Sequence, residues 1–262
     1  MKEETILEKV MRLRPIDDIF FEKLMENKKV CEEILRVILE NEKLKVVNVI
    51  PQRDIGNLIG RGVRLDAYCK LGRNKYCNIE VQKANDDNHF KRVRYNASCI
   101  TANITPKSSK FKDVPDVTIV YISKSDIFKK GRNIYHVRNM ITETNDPVND
   151  GLLSVYVNTA VKDETTLSEL MQCFKQQNVS NPKFPALRKE VSYYKTTEEG
   201  RQAMCKIVED YAEEKASVSK AEVLVCAVEN AAKSFKKSID KACEALGFSI
   251  SEYDAAKKLL SK

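Results

Sequence analysis

The stretch from Val63 to Lys83 constrains the fold more than any other part of the chain. It contains two runs in which apolar and polar residues alternate, and they flank the turn-like residues 71–74. Alternation with a period of two is typical of β-strands, so the stretch predicts a β-hairpin. If Leu71 pairs with Lys75 across the turn, Asp66 on the first strand lies opposite Glu80 on the second.

This register places two carboxylates on one face of the hairpin. Directly opposed residues have Cβ atoms roughly 4.5–5.5 Å apart. At that distance two carboxylates repel each other unless a cation lies between them. Gln82 extends the same row. Because Mg²⁺ is commonly held by one or two carboxylates, with water and phosphate oxygens, the row suits a metal site. An ordinary solvated polar face explains the spacing equally well, so both interpretations stay open here.

The positive charge of the chain is concentrated after the hairpin. The formal net charge is +7, whereas the segment from His89 to Arg138 alone carries eleven Lys or Arg residues against three acids, a net charge of +8. A solvated surface is the usual explanation of a charged segment. A localised basic patch beside a candidate metal site also suits a polyanion such as nucleic acid.

Composition excludes several other kinds of protein. The eight cysteines are scattered without any C-x-x-C pair, and there are two histidines, so a zinc site or a disulfide framework is not expected. No stretch approaches the roughly 20 apolar residues of a membrane span. The first fifteen residues lack the apolar core of a secretory signal. We therefore expect a cytoplasmic protein without a membrane partner.

Periodicity along the chain predicts an α/β protein with a helical end. Helices are expected from about Asp17, from Val30 to Glu40 and from Phe90 to Ala102. Strands are expected from Lys45 to Ile50, where Pro51 would stop the strand, and over 114–123, 133–142 and 152–158. A glycine-rich loop over 56–62 precedes the hairpin. Beyond Thr159 the pattern is helical, with helices expected to begin near residues 165, 185, 197, 217 and 249.

Four motifs together resemble a known family. Asp66 is followed by Glu80-Val81-Gln82, which is similar to the D…E-x-Q variant of the PD-(D/E)XK nucleases, in the contexts R-L-D and N-I-E. Residues 91–95 resemble the R-x-R-Y segment of that variant, and residues 15–24, which include Asp18, resemble its P-x-x-D-x-x-F-K opening. The set looks like the Rpn-type recombination-promoting nucleases, also called PD-(D/E)XK nuclease family transposases. The resemblance covers roughly residues 12–175.

The resemblance implies a restriction-endonuclease-like core with a central mixed sheet flanked by helices. The all-helical C-terminal tail is predicted by periodicity, and beyond about residue 200 it departs from the family pattern and is not covered by the resemblance. The domains would be 1–175, nuclease-like, and 176–262, helical. The implied function is a metal-dependent DNA endonuclease, linked to recombination or transposition. Asp66, Glu80 and Asp18 would hold Mg²⁺ or Mn²⁺, and Asp66, Glu80 and Gln82 would be catalytic. Lys83 would lie on the opposite strand face. The residues implied to contact DNA are Arg64, Lys91, Arg92 and Arg94.

Two other functions remain open at this point. One is a nucleic-acid-binding protein of the same fold that does not cleave, such as a relic of a mobile element. The other is a helical interaction protein that works through residues 201–262, which would leave the acid row unexplained. The sequence also leaves open the DNA sequence preference, the strand preference and the biological role of cleavage. It leaves open the oligomeric state as well, and so whether the protein is a homo-oligomer.

Overall fold

A computed structural model describes residues 4–56, 62–83 and 88–260. The helices are α1 (Ile6–Arg12), α2 (Asp18–Met25), α3 (Lys28–Ile38), α4 (His89–Ile104), α5 (Thr166–Cys173), α6 (Pro185–Thr196), α7 (Glu198–Phe235), α8 (Ile239–Leu246) and α9 (Ile250–Leu260). The strands are β1 (Asn48–Ile55), β2 (Val63–Gly72), β3 (Lys75–Gln82), β4 (Asp116–Ser123), β5 (Ile134–Val137), β6 (Met140–Ile141), β7 (Asp146–Pro147) and β8 (Leu152–Asn158). Most of the predicted glycine-rich loop, 57–61, lies outside the described residues.

Six strands form a mixed sheet in the order β1-β2-β3-β4-β8-β5. The central pairs β3–β4 and β4–β8 are parallel, and β1–β2, β2–β3 and β5–β8 are antiparallel. A parallel pair needs a crossover, which α4 supplies between β3 and β4. Helix α4 packs on one face of the sheet, and α2 and α3 pack on the other. The predicted class, a restriction-endonuclease-like α/β core with flanking helices, is confirmed.

The predicted hairpin is present, with a correction near its turn. Gly72, rather than Leu71, pairs with Lys75, and the register shifts between Lys70 and Gly72. The body of the hairpin keeps the predicted register, since Ala67 pairs with Ile79. The prediction that Pro51 ends the first strand is wrong. Strand β1 continues to Ile55, because it lies at the edge of the sheet, where a residue without a backbone N–H is tolerated.

Two other predictions about the elements are also wrong. The expected strand over 133–142 is two short strands, since β5 joins the main sheet whereas β6 pairs with β7 in a separate exposed hairpin. No helix begins near residue 217, because α7 runs unbroken from Glu198 to Phe235. The residues around 217 include neither proline nor glycine, and so nothing in the local sequence interrupts the helix.

Helix α6 is attached to the sheet-containing unit by buried polar contacts. Glu33 on α3 accepts hydrogen bonds from the backbone N–H groups of Ala186 (3.0 Å) and Leu187 (2.8 Å). Lys195 is almost fully buried, and its Nζ donates to the carbonyl oxygens of Met11 (2.9 Å) and Leu13 (2.6 Å). The last turn of α6 therefore holds the backbone segment that leads into α2.

The chain divides into two compact units, Met1–Met204 and Cys205–Lys262. The second unit consists of the later part of α7 with α8 and α9. Val228, Ala242, Cys243 and Tyr253 form its small buried core. None of the helices built by the described residues has the length and apolar character that crossing a bilayer requires.

Candidate metal and nucleic-acid site

The site begins where strands β2 and β3 part. Their paired register starts at Ala67–Ile79, while β2 stays paired with β1 as far as Val63 and β3 stays paired with β4 as far as Gln82. Asp66 and Glu80 come directly after the last pair. Because the two strands follow different neighbours from this point, a gap opens between them. The carboxylates of Asp66 and Glu80 lie at its start.

Hydrogen bonds between side chains and backbone bridge this gap. The backbone N–H of Val81 donates to Oδ2 of Asp66 over 2.9 Å. In the other direction, the backbone N–H of Asp66 donates to the carboxylate of Glu80. Each acid is thus held by the strand that carries the other. The predicted register, continued by one residue from Ala67–Ile79, puts the two acids opposite each other, and the two interactions agree with that placement.

The surroundings of the two acids disfavour negative charge. Glu80 is only 4% exposed, and burial raises its pKa to about 7. Burial and the charge of Glu80 together raise the pKa of Asp66 well above its ordinary range. Two carboxylates with raised pKa values, side by side, form a site in which a bound cation would relieve both the desolvation and the repulsion.

Two buried asparagines support Glu80. Nδ2 of Asn78 donates to Oε1 of Glu80, and Asn96 on α4 donates to the same carboxylate. Oδ1 of Asn78 is buried without a hydrogen-bond partner. Asn78 belongs to the predicted polar row on β3, two residues before Glu80. Asn96 could not be predicted from local spacing, because it reaches the site from a helix that packs across the sheet.

Helix α2 brings two more acids toward Asp66. The charges of Glu22 and Asp18 both raise the pKa of Asp66. The two residues are four positions apart, and so they share one face of α2. The side chain of Glu22 accepts a hydrogen bond from Gln52 on β1. Sequence analysis identified Asp18 but missed Glu22, although the i, i+4 spacing from Asp18 is a signal for it.

The start of α2 is fixed by an ion pair with Lys83, the residue that follows β3. Asp17, the residue before α2, accepts hydrogen bonds from the backbone and guanidinium of Arg14 and from Nζ of Lys83 (2.6 Å). Burial opposes the charge on Asp17, but these hydrogen bonds outweigh it and lower its pKa. Lys83 therefore binds Asp17, and through it positions the first turn of α2, which carries Asp18.

An open cleft of about 550 Å³ lies between the start of β2 and the first turns of α4. Glu80 and all four residues predicted to contact DNA line it. The described residues of the lining are Gly62, Val63, Arg64, Glu80, Asn88, Lys91, Arg92, Arg94, Tyr95 and Asn96. The charge of Arg92 acts on Glu80 and opposes the rise in its pKa. Tyr95, which motif analysis assigned no contact role, also faces this cleft.

Three other predicted residues, Asp66, Asp18 and Gln82, are not among the described residues that line this cleft. Asp66 neighbours Glu80 across the gap, and Asp18 approaches Asp66 from α2. Gln82 is half-buried, follows Glu80 on the same face of β3 and pairs with Ser123 of β4. Arg64 forms an exposed ion pair with Asp54 on β1 over 3.1 Å. The cleft is thus positive along α4 and negative where β2 and β3 part.

The donor set fits a hard divalent cation. No group of three or more His, Cys, Asp or Glu side chains close enough to hold a metal ion is present in residues 4–56, 62–83 and 88–260. Mg²⁺ does not need such a group, because it keeps several waters and often takes only one or two protein carboxylates. Asp66 and Glu80 supply that pair, with an unpartnered amide oxygen on Asn78 nearby.

Comparison with known protein families agrees with this geometry. Residues 15–221 match the model of the PD-(D/E)XK nuclease family transposases. The chain belongs to this family. Comparison with curated proteins and with solved structures found no match. Membership in this transposase family indicates a nuclease-related or transposition-related function. The match continues past the motif region that ends near residue 175, through α6 and into α7.

Proposed function

We propose that this PD-(D/E)XK family protein is a divalent-metal-dependent DNA endonuclease that hydrolyses phosphodiester bonds. One observation carries the proposal: Asp66 and Glu80 meet where β2 and β3 part, and Glu80 lines the same cleft as Arg64, Lys91, Arg92 and Arg94. A nuclease needs acids for a metal ion and cations for phosphates at one place. Glu80 connects the two, because it neighbours Asp66 and lines the cleft with the four basic residues.

Asp66 and Glu80 would hold Mg²⁺ or Mn²⁺, with Asp18 contributing from α2. A bound divalent ion polarises a phosphoryl oxygen and lowers the pKa of a bound water. Asn78 and Asn96 fix the orientation of the Glu80 carboxylate, as hydrogen-bond partners of metal ligands generally do. Gln82 occupies the position where most PD-(D/E)XK enzymes have lysine. Its neutral amide cannot supply charge, but it can orient a water by donating and accepting hydrogen bonds.

The basic residues of α4 would position the DNA. The charge of Arg92 acts on Glu80, and Arg92 would therefore bind the phosphate that is to be cleaved. Lys91 and Arg94 are more exposed and would neutralise flanking phosphates. Backbone contacts of this kind give affinity without reading the base sequence.

The test is cleavage of a supercoiled plasmid with Mg²⁺, with Mn²⁺ and with EDTA, using the wild type, Asp66→Asn, Glu80→Gln and the control Glu42→Gln. Glu42 is exposed and far along the chain from the acid row. We expect metal-dependent nicking by the wild type and the control, and loss of cleavage with retained DNA binding in the two site variants. Cleavage by Glu80→Gln at the wild-type rate would refute the site assignment. Binding without cleavage under every condition would instead support the non-cleaving alternative.

A further inference from the structure

The exposed ring of Phe90, which directly precedes the cleft residue Lys91, is held in place by other aromatic side chains. Phe90 is the second residue of α4 and is 47% exposed. Its ring packs against Phe128 (centroids 5.2 Å apart) and Tyr156 (5.7 Å). Phe128 packs in turn against Tyr135 at 4.5 Å. Part of the Phe90 ring is thus open to solvent, while the rest is fixed, so a ligand that stacks on it needs little additional ordering.

A basic loop lies against the same aromatic group and is rigidly braced. It consists of residues 128–132, Phe-Lys-Lys-Gly-Arg, and is called the basic loop below. The Asp126 carboxylate accepts hydrogen bonds from the backbone N–H groups of Phe128 (3.1 Å), Lys129 (3.1 Å) and Gly131 (2.8 Å). The hydroxyl of Tyr135 also donates to Asp126, and it accepts from the N–H of Arg132.

The hydrogen bonds that hold the basic loop use its backbone, and its cationic side chains face solvent. Lys129, Lys130 and Arg132 are all exposed. The single acid of the loop region, Asp126, points inward to the backbone. Positive side chains held on a fixed loop are suited to binding phosphates.

Phe90 connects two sets of cations. It directly precedes Lys91 and Arg92, which line the cleft with Glu80. Its ring also packs against Phe128, the first residue of the basic loop. An aromatic ring flanked by phosphate-binding side chains is the arrangement with which proteins bind single-stranded nucleic acid, because each base can stack while the backbone follows the positive charge.

We propose that Phe90 and the basic loop form a platform for unpaired nucleotides, and that the preferred substrate is DNA with a single-stranded segment next to the cleavage site. This inference rests on the proposed function. In an intact duplex each base face is covered by its neighbours, and opening the duplex costs a few kcal/mol per step. An unpaired base has a free face that can stack on Phe90. Since every base has such a face, the preference would be for structure and not for sequence.

The experiment measures binding in EDTA, so that it does not depend on cleavage. A fluorescently labelled duplex and the same duplex with a four-nucleotide gap are titrated with full-length protein, and the gapped DNA carries 2-aminopurine within the gap. The variants are Phe90→Ala, Phe90→Trp and the control Phe235→Ala. Phe235 is a matched control because it is 73% exposed, is followed by two lysines and lies outside the aromatic group.

We expect the wild type to prefer the gapped DNA and to change the 2-aminopurine fluorescence on binding. Phe90→Ala should lose roughly 10-fold in affinity for the gapped DNA, in line with the usual effect of removing one stacking ring, while its affinity for the duplex changes little. Phe90→Trp should retain the preference, which shows that the ring and not the fold is responsible. Phe235→Ala should behave as the wild type.

Two results would overturn the inference. The first is equal binding of gapped and intact DNA by the wild type. The second is an unchanged preference in Phe90→Ala, which would make Phe90 a packing residue or part of a protein-docking surface. Either result leaves the proposed nuclease function standing, as long as DNA is bound. Failure to bind any DNA would refute both.

Discussion

Replacing Glu80 with glutamine should stabilise the metal-free protein at neutral and alkaline pH. Glu80 is almost fully buried, and its pKa is about 7 in the folded protein, against an ordinary value of 4.5. At pH values between 4.5 and about 7, the Glu80 carboxyl group is ionised in the unfolded chain but stays protonated in the folded protein. The free energy of unfolding therefore falls as pH rises from about 5 to 7, and the full loss of stability is present above pH 7.

The cost follows from the size of the pKa shift. At 1.36 kcal/mol per unit, the difference between 4.5 and about 7 corresponds to about 3 kcal/mol. Glutamine keeps the size of the side chain and one acceptor oxygen for Asn78 and Asn96, but it carries no charge. For a chain of this length, 3 kcal/mol corresponds to a rise in Tm of roughly 6–12 °C.

The assay is thermal unfolding followed by circular dichroism, in EDTA, at pH 5, 6, 7 and 8, for the wild type, Glu80→Gln and Glu42→Gln. The gain from Glu80→Gln should be small at pH 5, which is only slightly above the ordinary pKa of 4.5, and should be largest at pH 8. Excess Mg²⁺ should stabilise the wild type more than the variant, because ligand binding stabilises the state that binds it. A loss of stability in Glu80→Gln at pH 8, or an equal gain at pH 5 and pH 8, would refute the reasoning.

Three further predictions concern the residues around the site. Replacing both Arg92 and Arg94 with glutamine should weaken duplex binding and reduce the slope of log K against log salt by roughly 1.8. Binding titrations at several salt concentrations measure this slope, and an unchanged slope would place the phosphate contacts elsewhere. Strand alternation alone predicts that Lys83→Ala leaves cleavage unchanged. Because Lys83 pairs with Asp17 at the start of α2, Lys83→Ala should instead lower the cleavage rate by about 10-fold, and Lys83→Arg should restore it. A wild-type rate in Lys83→Ala would mean that other contacts hold α2. Lys195→Ala should cost roughly 2–4 kcal/mol in urea unfolding, because it removes a buried side chain and takes the donor from two partly buried carbonyl oxygens. A change below about 1 kcal/mol would contradict this.

The hairpin and its acid row could be predicted because their signals are local. Alternation fixes the strand faces, and the turn limits the register to within one residue, so the Leu71 error at the turn did not move Asp66 away from Glu80. The four basic residues were predicted from charge and motif, and all of them line the cleft with Glu80. Their roles in binding and catalysis stay predictions.

The contributions of Asn96 and Lys83 could not be predicted in the same way. Each depends on how a helix packs against the sheet, which sequence spacing does not encode. The prediction that Pro51 ends the first strand was wrong for a related reason. A proline ends a central strand but is tolerated at a sheet edge, and the position of β1 at the edge follows from the topology of all six strands.

The buried contact of Lys195 with the carbonyl oxygens of Met11 and Leu13 has a consequence for the order in which the protein is made. The hairpin acids are synthesised early, but the residue that fastens the segment before α2 lies far downstream on α6. At about 5–20 residues per second, Lys195 follows Gln82 by roughly 6–23 s. During that interval a nascent chain already carries Asp66 and Glu80, while the helix bearing Asp18 still lacks its anchor. The site is therefore completed only late in translation.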